Sequence, residues 1–193
     1  FGIINRLNRR LNNRYPQVSK FFLKLGDPKS SRRNTISCRI GVNHLRNTVR
    51  FQRERLTDIL ASSWEVSTNR INKKQYFREL LNSQVCISPF GWGEIAYRDF
   101  EIFIAGAALL KPSMSHMKTW PDIYVEGETF VSYSWDLSDI DEKLHYLGES
   151  ATSTEIAQWG QETYLDSVRG RDVADLFCKR LLSIMTGDRS GLQ

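Results

Sequence analysis

A short turn with two glycines, followed by charged residues, is the part of the sequence best suited to chemistry. Residues 88–94 (SPFGWGE) close a short apolar run, and a helix is predicted to begin at about Glu94. Gly91 and Gly93 lack a Cβ atom, so the backbone N–H groups there can approach a bound group closely. The first turn of the helix adds unpaired N–H donors and a partial positive charge, which favour a phosphate or diphosphate. The turn is therefore a candidate anion site, although a Gly-x-Gly pair alone has little specificity.

Three charged residues of the predicted helix share one face, because Glu94, Arg98 and Glu101 are spaced at i, i+4 and i+7. The planar guanidinium of Arg98 suits bidentate contact with phosphate oxygens. Glu101 can accept hydrogen bonds from both hydroxyls of a ribose, as carboxylates do in other nucleotide sites. An ordinary solvent-exposed stripe of ion pairs is the simpler alternative. The spacing alone leaves both interpretations open.

Regular elements that alternate along the chain must position these residues. Apolar runs predict strands at 36–42, 85–88, 109–111 and 130–133, with shorter extended pieces at 64–68 and Tyr124. Helical periodicity predicts helices at about 48–61, 73–81, 94–106, 139–147, 153–168 and 172–185. This alternation indicates an α/β fold, with parallel strands joined by helical crossovers. Ligands of such sheets bind beyond the carboxyl ends of the strands, which is where residues 88–94 lie.

A longer string around this turn resembles a known family. The run CISPFGWGEIAYRDFEIFIAGAALLKPSMSHMKTWPD, continued by IYVEGETFVSYSWDLSDIDEKL, is similar to the donor-binding region of glycosyltransferases with two Rossmann-like domains, the GT-B type. This type includes exostosin-like enzymes and bacterial family-1-like glycosyltransferases. The likeness covers residues 85–147, about a third of the chain, and GWGExxYRDFE is far more specific than a glycine pair. It implies that the sheet is Rossmann-like and forms one half of a GT-B fold.

The resemblance also implies roles for individual residues. The turn of Gly91, Trp92, Gly93 and Glu94 is expected beside the donor diphosphate, with Arg98 on phosphate and Glu101 on the ribose. Residues 111–116 (KPSMSH) are expected to form another wall of the cleft, which adds Lys111, Ser115 and His116 to the candidate site. Lys111 either adds charge to the leaving diphosphate or points to solvent. His116 either contacts the sugar or phosphate or is held by loop backbone.

Several aromatic residues and one acidic pair are weaker signals. Trp92, between two glycines, is expected at the mouth of the cleft, whereas Tyr97, Trp120 and Trp135 are expected in the core or the cleft wall, with core as the default. Residues 139–141 (DID) match the D-x-D string of metal-dependent transferases of another fold. Acidic residues that stabilise the first turn of a helix explain these residues more simply. We therefore expect no metal and no other cofactor, the nucleotide-sugar being a substrate.

The composition indicates one globular domain with a basic segment at its start. The chain has 193 residues, of which 40% are hydrophobic and 25% are charged. Its net charge of +5 is local, since residues 1–33 hold nine Lys/Arg and a single acid, Asp27. Apolar residues at helical spacing before Pro16 predict a basic amphipathic helix, and the turn formers of 26–34 predict a linker. We expect a basic helical arm and linker at 1–34 and the nucleotide-sugar-binding domain at 35–193.

The same features bear on partners and location. The basic arm is suited to anionic lipid or nucleic acid, or is a solvated or partner-facing segment. Three scattered cysteines without a metal or redox motif favour a cytoplasmic setting, with peripheral membrane contact through the arm. The chain is too short for both domains of a GT-B enzyme. We therefore expect the acceptor-binding domain, and the general base that activates the acceptor, to be supplied elsewhere.

Two functions follow from the sequence. The preferred one is transfer of a sugar from a nucleotide-sugar to a glycan or lipid-linked acceptor, with this chain holding the donor. In it, backbone N–H groups and Arg98 stabilise the departing nucleoside diphosphate. The alternative is a non-catalytic nucleotide- or partner-binding module, in which the basic arm docks on a membrane, on nucleic acid or on another subunit.

Overall fold

The computed structural model describes residues 25–169 and 172–187. The basic helix predicted before Pro16 falls in residues 1–24, outside the described residues. The expectation of a basic arm therefore stays a prediction from the sequence.

A four-stranded parallel sheet forms the centre of the domain. Its strands are β1 (Asn34–Ser37), β2 (Ser83–Ile87), β3 (Ala108–Pro112) and β4 (Val131–Tyr133), and they lie in the order β1-β2-β3-β4. The strands β2 and β3 are almost entirely buried, because a parallel sheet is covered by helices on both faces and its strands are apolar on both sides. The predicted parallel α/β sheet is thereby confirmed. The expected extended pieces at 64–68 and Tyr124 form no strand.

Six helices surround the sheet in the described residues. They are α1 (Asn47–Ser63), α2 (Lys73–Asn82), α3 (Tyr97–Ala105), α4 (Ile140–Gly148), α5 (Ser150–Arg169) and α6 (Val173–Thr186). Each was predicted from apolar periodicity, and most boundaries agree within three residues. None of the helices in the described ranges is both long and apolar enough to cross a bilayer.

The core has two layers, one on each face of the sheet, because successive strand residues point to opposite faces. On one face, Val85 packs with apolar residues of α1, α4 and α5, among them Leu56 and Leu144. On the other face, Cys86 packs with α2 and α3 through residues such as Leu80 and Phe103. The helices therefore fix the sheet from both sides and leave the loops at the strand ends to form a site.

The helix α3 begins later than predicted, and this changes the site. Its first residue is Tyr97 rather than Glu94, since the carboxylate of Asp99 accepts a hydrogen bond from the N–H of Ala96 (3.1 Å) and caps the helix there. Gly106 ends the helix in the left-handed conformation at φ 62°. Glu94 thus lies in the loop before α3, and the prediction that it shares a helix face with Arg98 and Glu101 is wrong.

The segment 26–33, predicted as a linker, is packed against the domain. The N–H of Gly26 donates to the carbonyl of Ile104 (2.9 Å). The guanidinium of Arg32 donates to the carbonyls of Leu80, Leu81, Ser83, Ala105 and Gly106, which end α2 and α3. The segment is therefore tied to both helices, and the folded unit extends beyond the predicted boundary at residue 35.

Candidate functional site

A cavity of about 480 Å³ opens at the carboxyl end of β1, between α2 and α3. Residues from three places line it: the loop after β1, the beginning of α2 with the residues before it, and α3. They are Arg39, Ile40, Gly41, Arg70, Ile71, Lys73, Tyr76, Phe77, Arg98 and Glu101. The cavity thus combines four basic side chains with one carboxylate and apolar walls, a lining that suits an anionic ligand with a flat or apolar part.

Arg98 and Glu101 both face this cavity, one turn apart on α3. The carboxylate of Glu101 accepts a hydrogen bond from the hydroxyl of Tyr76 (2.8 Å). One Nη of Arg98 donates to the carbonyl of Arg39, while its Nε is buried without a hydrogen-bond partner among the described residues. The two side chains are therefore held in place from two directions, as a preorganised binding site requires.

Tyr76 connects α2 to this pair and was not singled out from the sequence. Burial raises the pKa of Tyr76, Arg98 acts in the opposite direction, and the charge of Glu101 adds to the rise. The hydroxyl consequently stays protonated and donates to Glu101. Arg39, another lining residue that was missed, lies two residues after the end of β1 and forms an ion pair with Glu79 (2.7 Å). The strand predicted at 36–42 included Arg39, whereas β1 ends at Ser37, so the predicted boundary concealed its place in the loop.

The glycine turn contributes no residue to the lining of the cavity, although it follows β2 at the same edge of the sheet. The N–H of Gly91 donates to the carbonyl of Gly93 (3.0 Å), which closes the turn on itself. A Cβ atom at Gly91 would lie 3.4 Å from Nη2 of Arg53, and a Cβ atom at Gly93 would meet nothing within 4 Å. Trp92, between them, is 68% exposed, and its ring centroid lies 5.1 Å from that of His44. The turn thus presents Trp92 to solvent at the carboxyl edge of the sheet.

Lys111 is buried rather than exposed. Its side chain is fully buried, and Nζ contacts the carboxylate of Asp99 (2.8 Å) and the carbonyl of Glu94 (2.7 Å). Burial lowers the pKa of Lys111, and Asp99 opposes that effect. Of the two alternatives left open for Lys111, exposure to solvent is therefore wrong, and its charge is offset by a carboxylate inside the domain.

Asp99 is a further buried residue of this region that was not singled out from the sequence. Its carboxylate also accepts from the hydroxyls of Ser88 and Tyr124, the latter at 2.8 Å. It lies in the first turn of α3, so a carboxylate of the protein already occupies the helix N-terminus that was expected to favour phosphate. An acid at the third helical position was the sequence signal for such a cap.

The remaining predicted residues lie on the surface next to the turn. Nε2 of His116 is 3.9 Å from the carboxylate of Glu94, and both side chains are about half exposed. Ser115 is exposed, and its hydroxyl lies 3.1 Å from that of Ser113. None of these three lines the cavity. The structure therefore brings Arg98 and Glu101 together in the cavity. The other predicted residues on the surface lie outside its lining: Gly91, Trp92, Gly93, Glu94, Ser115 and His116.

The aromatic residues assigned to the core are exposed instead. Tyr97 is 88% exposed, and Trp120 and Trp135 are 46% and 44% exposed. Trp135 follows β4, and its ring lies 5.7 Å from that of Phe90 in the loop after β2. The prediction of a core position is wrong for these residues, because they lie in loops or at a helix start rather than on a strand or a buried helix face.

The carboxylates of the D-x-D string accept hydrogen bonds from other residues of the domain. Asp139 accepts hydrogen bonds from the N–H (2.7 Å) and the hydroxyl (3.1 Å) of Ser134, and Asp141 accepts one from the indole N–H of Trp64 (2.8 Å). Asp141 and Glu142 lie in the first turn of α4, as predicted. No group of three or more His, Cys, Asp or Glu side chains in the described ranges is arranged to hold a metal ion.

Comparison with known proteins identifies the fold class. No family model and no curated protein sequence matches this chain. Among solved structures, the crystal structure of TarM, a glycosyltransferase with the GT-B fold, matches 82% of this chain with a TM-score of 0.54 and 10% sequence identity. The chain spans 37% of the length of TarM. At this identity the likeness concerns the fold: the domain is a Rossmann-like α/β domain, as found in one half of a GT-B glycosyltransferase.

Proposed function

We propose that this domain holds the nucleotide-sugar donor of a glycosyltransferase. The observation that carries the proposal is that Arg98 and Glu101 line one cavity at the carboxyl edge of a parallel sheet. Sheets of this type bind nucleotides at that edge. The fold, that of one half of a GT-B enzyme, is consistent with the proposal.

The cavity offers a place for each part of the nucleotide. Glu101, held by Tyr76, is placed to accept hydrogen bonds from the ribose hydroxyls. The apolar side chains of Ile71 and Phe77 line the same cavity and suit the face of a base. Arg98 lies on the side nearest the loop after β1 and is placed to contact the phosphates. The transferred sugar then extends toward the glycine turn and Trp92.

The proposed reaction is a displacement at the anomeric carbon of the donor sugar. The bond from this carbon to the phosphate oxygen breaks, and its electron pair stays on the departing nucleoside diphosphate. An acceptor hydroxyl forms the new bond and loses its proton to a base. The role of this domain is to stabilise the charge that develops on the diphosphate, for which fixed guanidinium donors are effective. The acceptor, a glycan or a lipid-linked glycan, and the base belong to a partner domain or subunit in this proposal.

A titration with nucleotides tests the proposal. We expect UDP or GDP to raise the melting temperature, and Arg98→Ala or Glu101→Ala to remove most of that rise, since a charge-assisted hydrogen bond contributes about 1.5–3 kcal/mol. Differential scanning fluorimetry measures the shift. Glu128→Ala is the matched control for Glu101, because Glu128 is exposed in the turn before β4. An unchanged melting temperature with every common nucleoside diphosphate would instead favour a non-catalytic, partner-binding module.

A further inference from the structure

The backbone of the glycine turn and of the start of α3 offers little positive charge to a diphosphate. The N-terminus of α3 is neutralised by the carboxylate of Asp99, and the N–H of Gly91 already donates within its own turn. A diphosphate bound at this side of the cavity must therefore be held mainly by side chains. Of the basic residues that line the cavity, Arg70 and Lys73 lie before and at the start of α2, so Arg98 is the one supplied by α3, and a single guanidinium leaves much of the charge of a diphosphate uncompensated.

Arg53 does not line the cavity itself, but it contacts the loop after β1 that forms one side of it. It lies on α1, and its Nη1 donates to the carbonyl of Gly41 (2.9 Å) while its Nε donates to the carbonyl of Phe90 (3.0 Å). Arg98, from α3, donates to the carbonyl of Arg39, two residues before Gly41 in the same loop. The two guanidiniums thus converge on the loop after β1, and Arg53 also connects this loop to the one after β2.

Both guanidiniums retain donors and charge for a ligand. Nη2 of Arg53 makes no hydrogen bond to any described residue, and it lies next to the open side of Gly91. Neither Arg53 nor Arg98 forms an ion pair within the part of the chain that the structure describes. Burial lowers the pKa of Arg53, and the charge of Arg98 lowers it further. Two like charges held together by neutral carbonyls create a positive potential that a bound anion relieves.

We infer that Arg53 is a second phosphate-binding residue, which holds the diphosphate of the donor together with Arg98 between the loops that follow β1 and β2. This inference rests on the proposed function, because it assigns a further residue to the same donor. Arg39 is a weaker candidate for this role, since its guanidinium is paired with Glu79. In this arrangement Arg98 lies toward the ribose side and Arg53 toward the glycine turn, where the terminal phosphate and the sugar meet.

A comparison of diphosphates with monophosphates tests the role of Arg53. Isothermal titration calorimetry with UDP, UMP, GDP and GMP gives the ratio of diphosphate to monophosphate affinity for each variant. We expect Arg53→Gln to reduce the affinity for the diphosphate about ten-fold or more, with a much smaller effect on the monophosphate, since one charge-assisted contact is lost. Arg53→Lys, which keeps the charge, should give an affinity ratio between those of Arg53→Gln and the wild type. Arg55→Gln is the matched control, because Arg55 is exposed on the same helix.

The outcomes separate this inference from the proposed function. If the wild-type chain binds none of the four nucleotides and no other common nucleoside diphosphate, the proposed function fails and this inference fails with it. If the wild type binds and Arg98→Ala abolishes binding, but Arg53→Gln leaves the affinity ratio unchanged, only the role of Arg53 is overturned. Arg53 also holds two loop carbonyls, so Arg53→Gln could weaken folding. In that case the ratio of diphosphate to monophosphate affinity measured on Arg53→Lys decides. Lysine keeps the charge but makes fewer hydrogen bonds than arginine, so the ratio should fall below that of the wild type. A ratio equal to that of the wild type contradicts the inference.

Discussion

At the scale of single residues, one buried carboxylate organises the loops around the site. Asp99 joins the loop after β2 through Ser88, the strand β3 through Lys111, and the segment before β4 through Tyr124. A buried ion pair of this kind contributes little net stability, because desolvation offsets much of the attraction. Breaking it on one side is costly, however, because the other charge stays buried without a partner.

This asymmetry gives a prediction for Asp99→Asn. The substitution keeps the shape but leaves the ammonium of Lys111 without its counter-charge, and we expect a loss of about 3–5 kcal/mol in the free energy of unfolding. Urea denaturation followed by circular dichroism measures it. The double variant Asp99→Asn/Lys111→Met should recover part of the loss. Asp122→Asn, at an exposed position, serves as the control, and equal small effects of Asp99→Asn and Asp122→Asn would contradict the account.

At the scale of helices and strands, close packing of α5 against α3 fixes the position of α3. The helix α5 crosses behind it, and Tyr164 stacks on Phe100 and Phe103 at centroid distances of 5.6 and 5.8 Å. Gly160 of α5 lets the two helices approach, since a Cβ atom there would lie 2.6 Å from the carbonyl oxygen of Thr129 and 2.9 Å from the ring of Phe103. The site residues of α3 are therefore held by a contact on the other side of the helix.

Two glycines on neighbouring helices should consequently respond in opposite ways to alanine. Gly160→Ala forces a clash with backbone and with a buried ring, and we expect it to destabilise the domain by about 1–3 kcal/mol despite the better helix propensity of alanine. At Gly148, which ends α4, an added Cβ atom meets nothing within 4 Å. Gly148→Ala should be neutral or stabilising by up to about 1 kcal/mol. Thermal unfolding of the two variants measures both effects, and the same sign for both would refute the packing argument.

At the scale of the whole molecule, the cysteines report on global unfolding. Cys38 and Cys86 are buried, and burial raises the pKa of each thiol from 9.0 to about 12. Cys178 is exposed on α6. The folded protein therefore keeps two thiol protons that the unfolded chain releases in alkaline solution. Because the unfolded state then binds fewer protons, the free energy of unfolding falls as pH rises from about 9 toward about 12.

Thiol labelling at pH 8 checks this description. One thiol should react rapidly with an aromatic disulfide reagent, and two should react only at the rate of unfolding. Cys178→Ser should abolish the rapid phase and leave the slow one unchanged. Rapid reaction of all three thiols would show that the sheet opens under native conditions and would contradict the buried positions of Cys38 and Cys86.

The extent of the match to TarM bears on which functions can be tested on this domain alone. The chain spans 37% of the length of TarM. Donor binding and charge stabilisation are functions that one Rossmann-like domain can carry, whereas acceptor activation needs a second surface. The nucleotide titrations proposed above therefore test this domain directly.

The class of fold and the approximate place of the site could be predicted from the amino-acid sequence. Apolar periodicity is local, so α1, α2 and the buried strands could be predicted within a few residues. The alternation of these elements then placed Arg98 and Glu101 at the carboxyl edge of a parallel sheet. Both line the cavity there.

Which charged groups contact one another depends on the tertiary structure and could not be predicted from local spacing. Lys111 pairs with Asp99, twelve residues away along the chain, and Arg53 reaches the carbonyl of Phe90, thirty-seven residues away. Such contacts depend on strand register and on how the helices pack across the sheet, and no local spacing encodes them. For the same reason the sequence missed Tyr76 and placed Lys111 in the cleft, whereas burial against Asp99 holds it inside the domain.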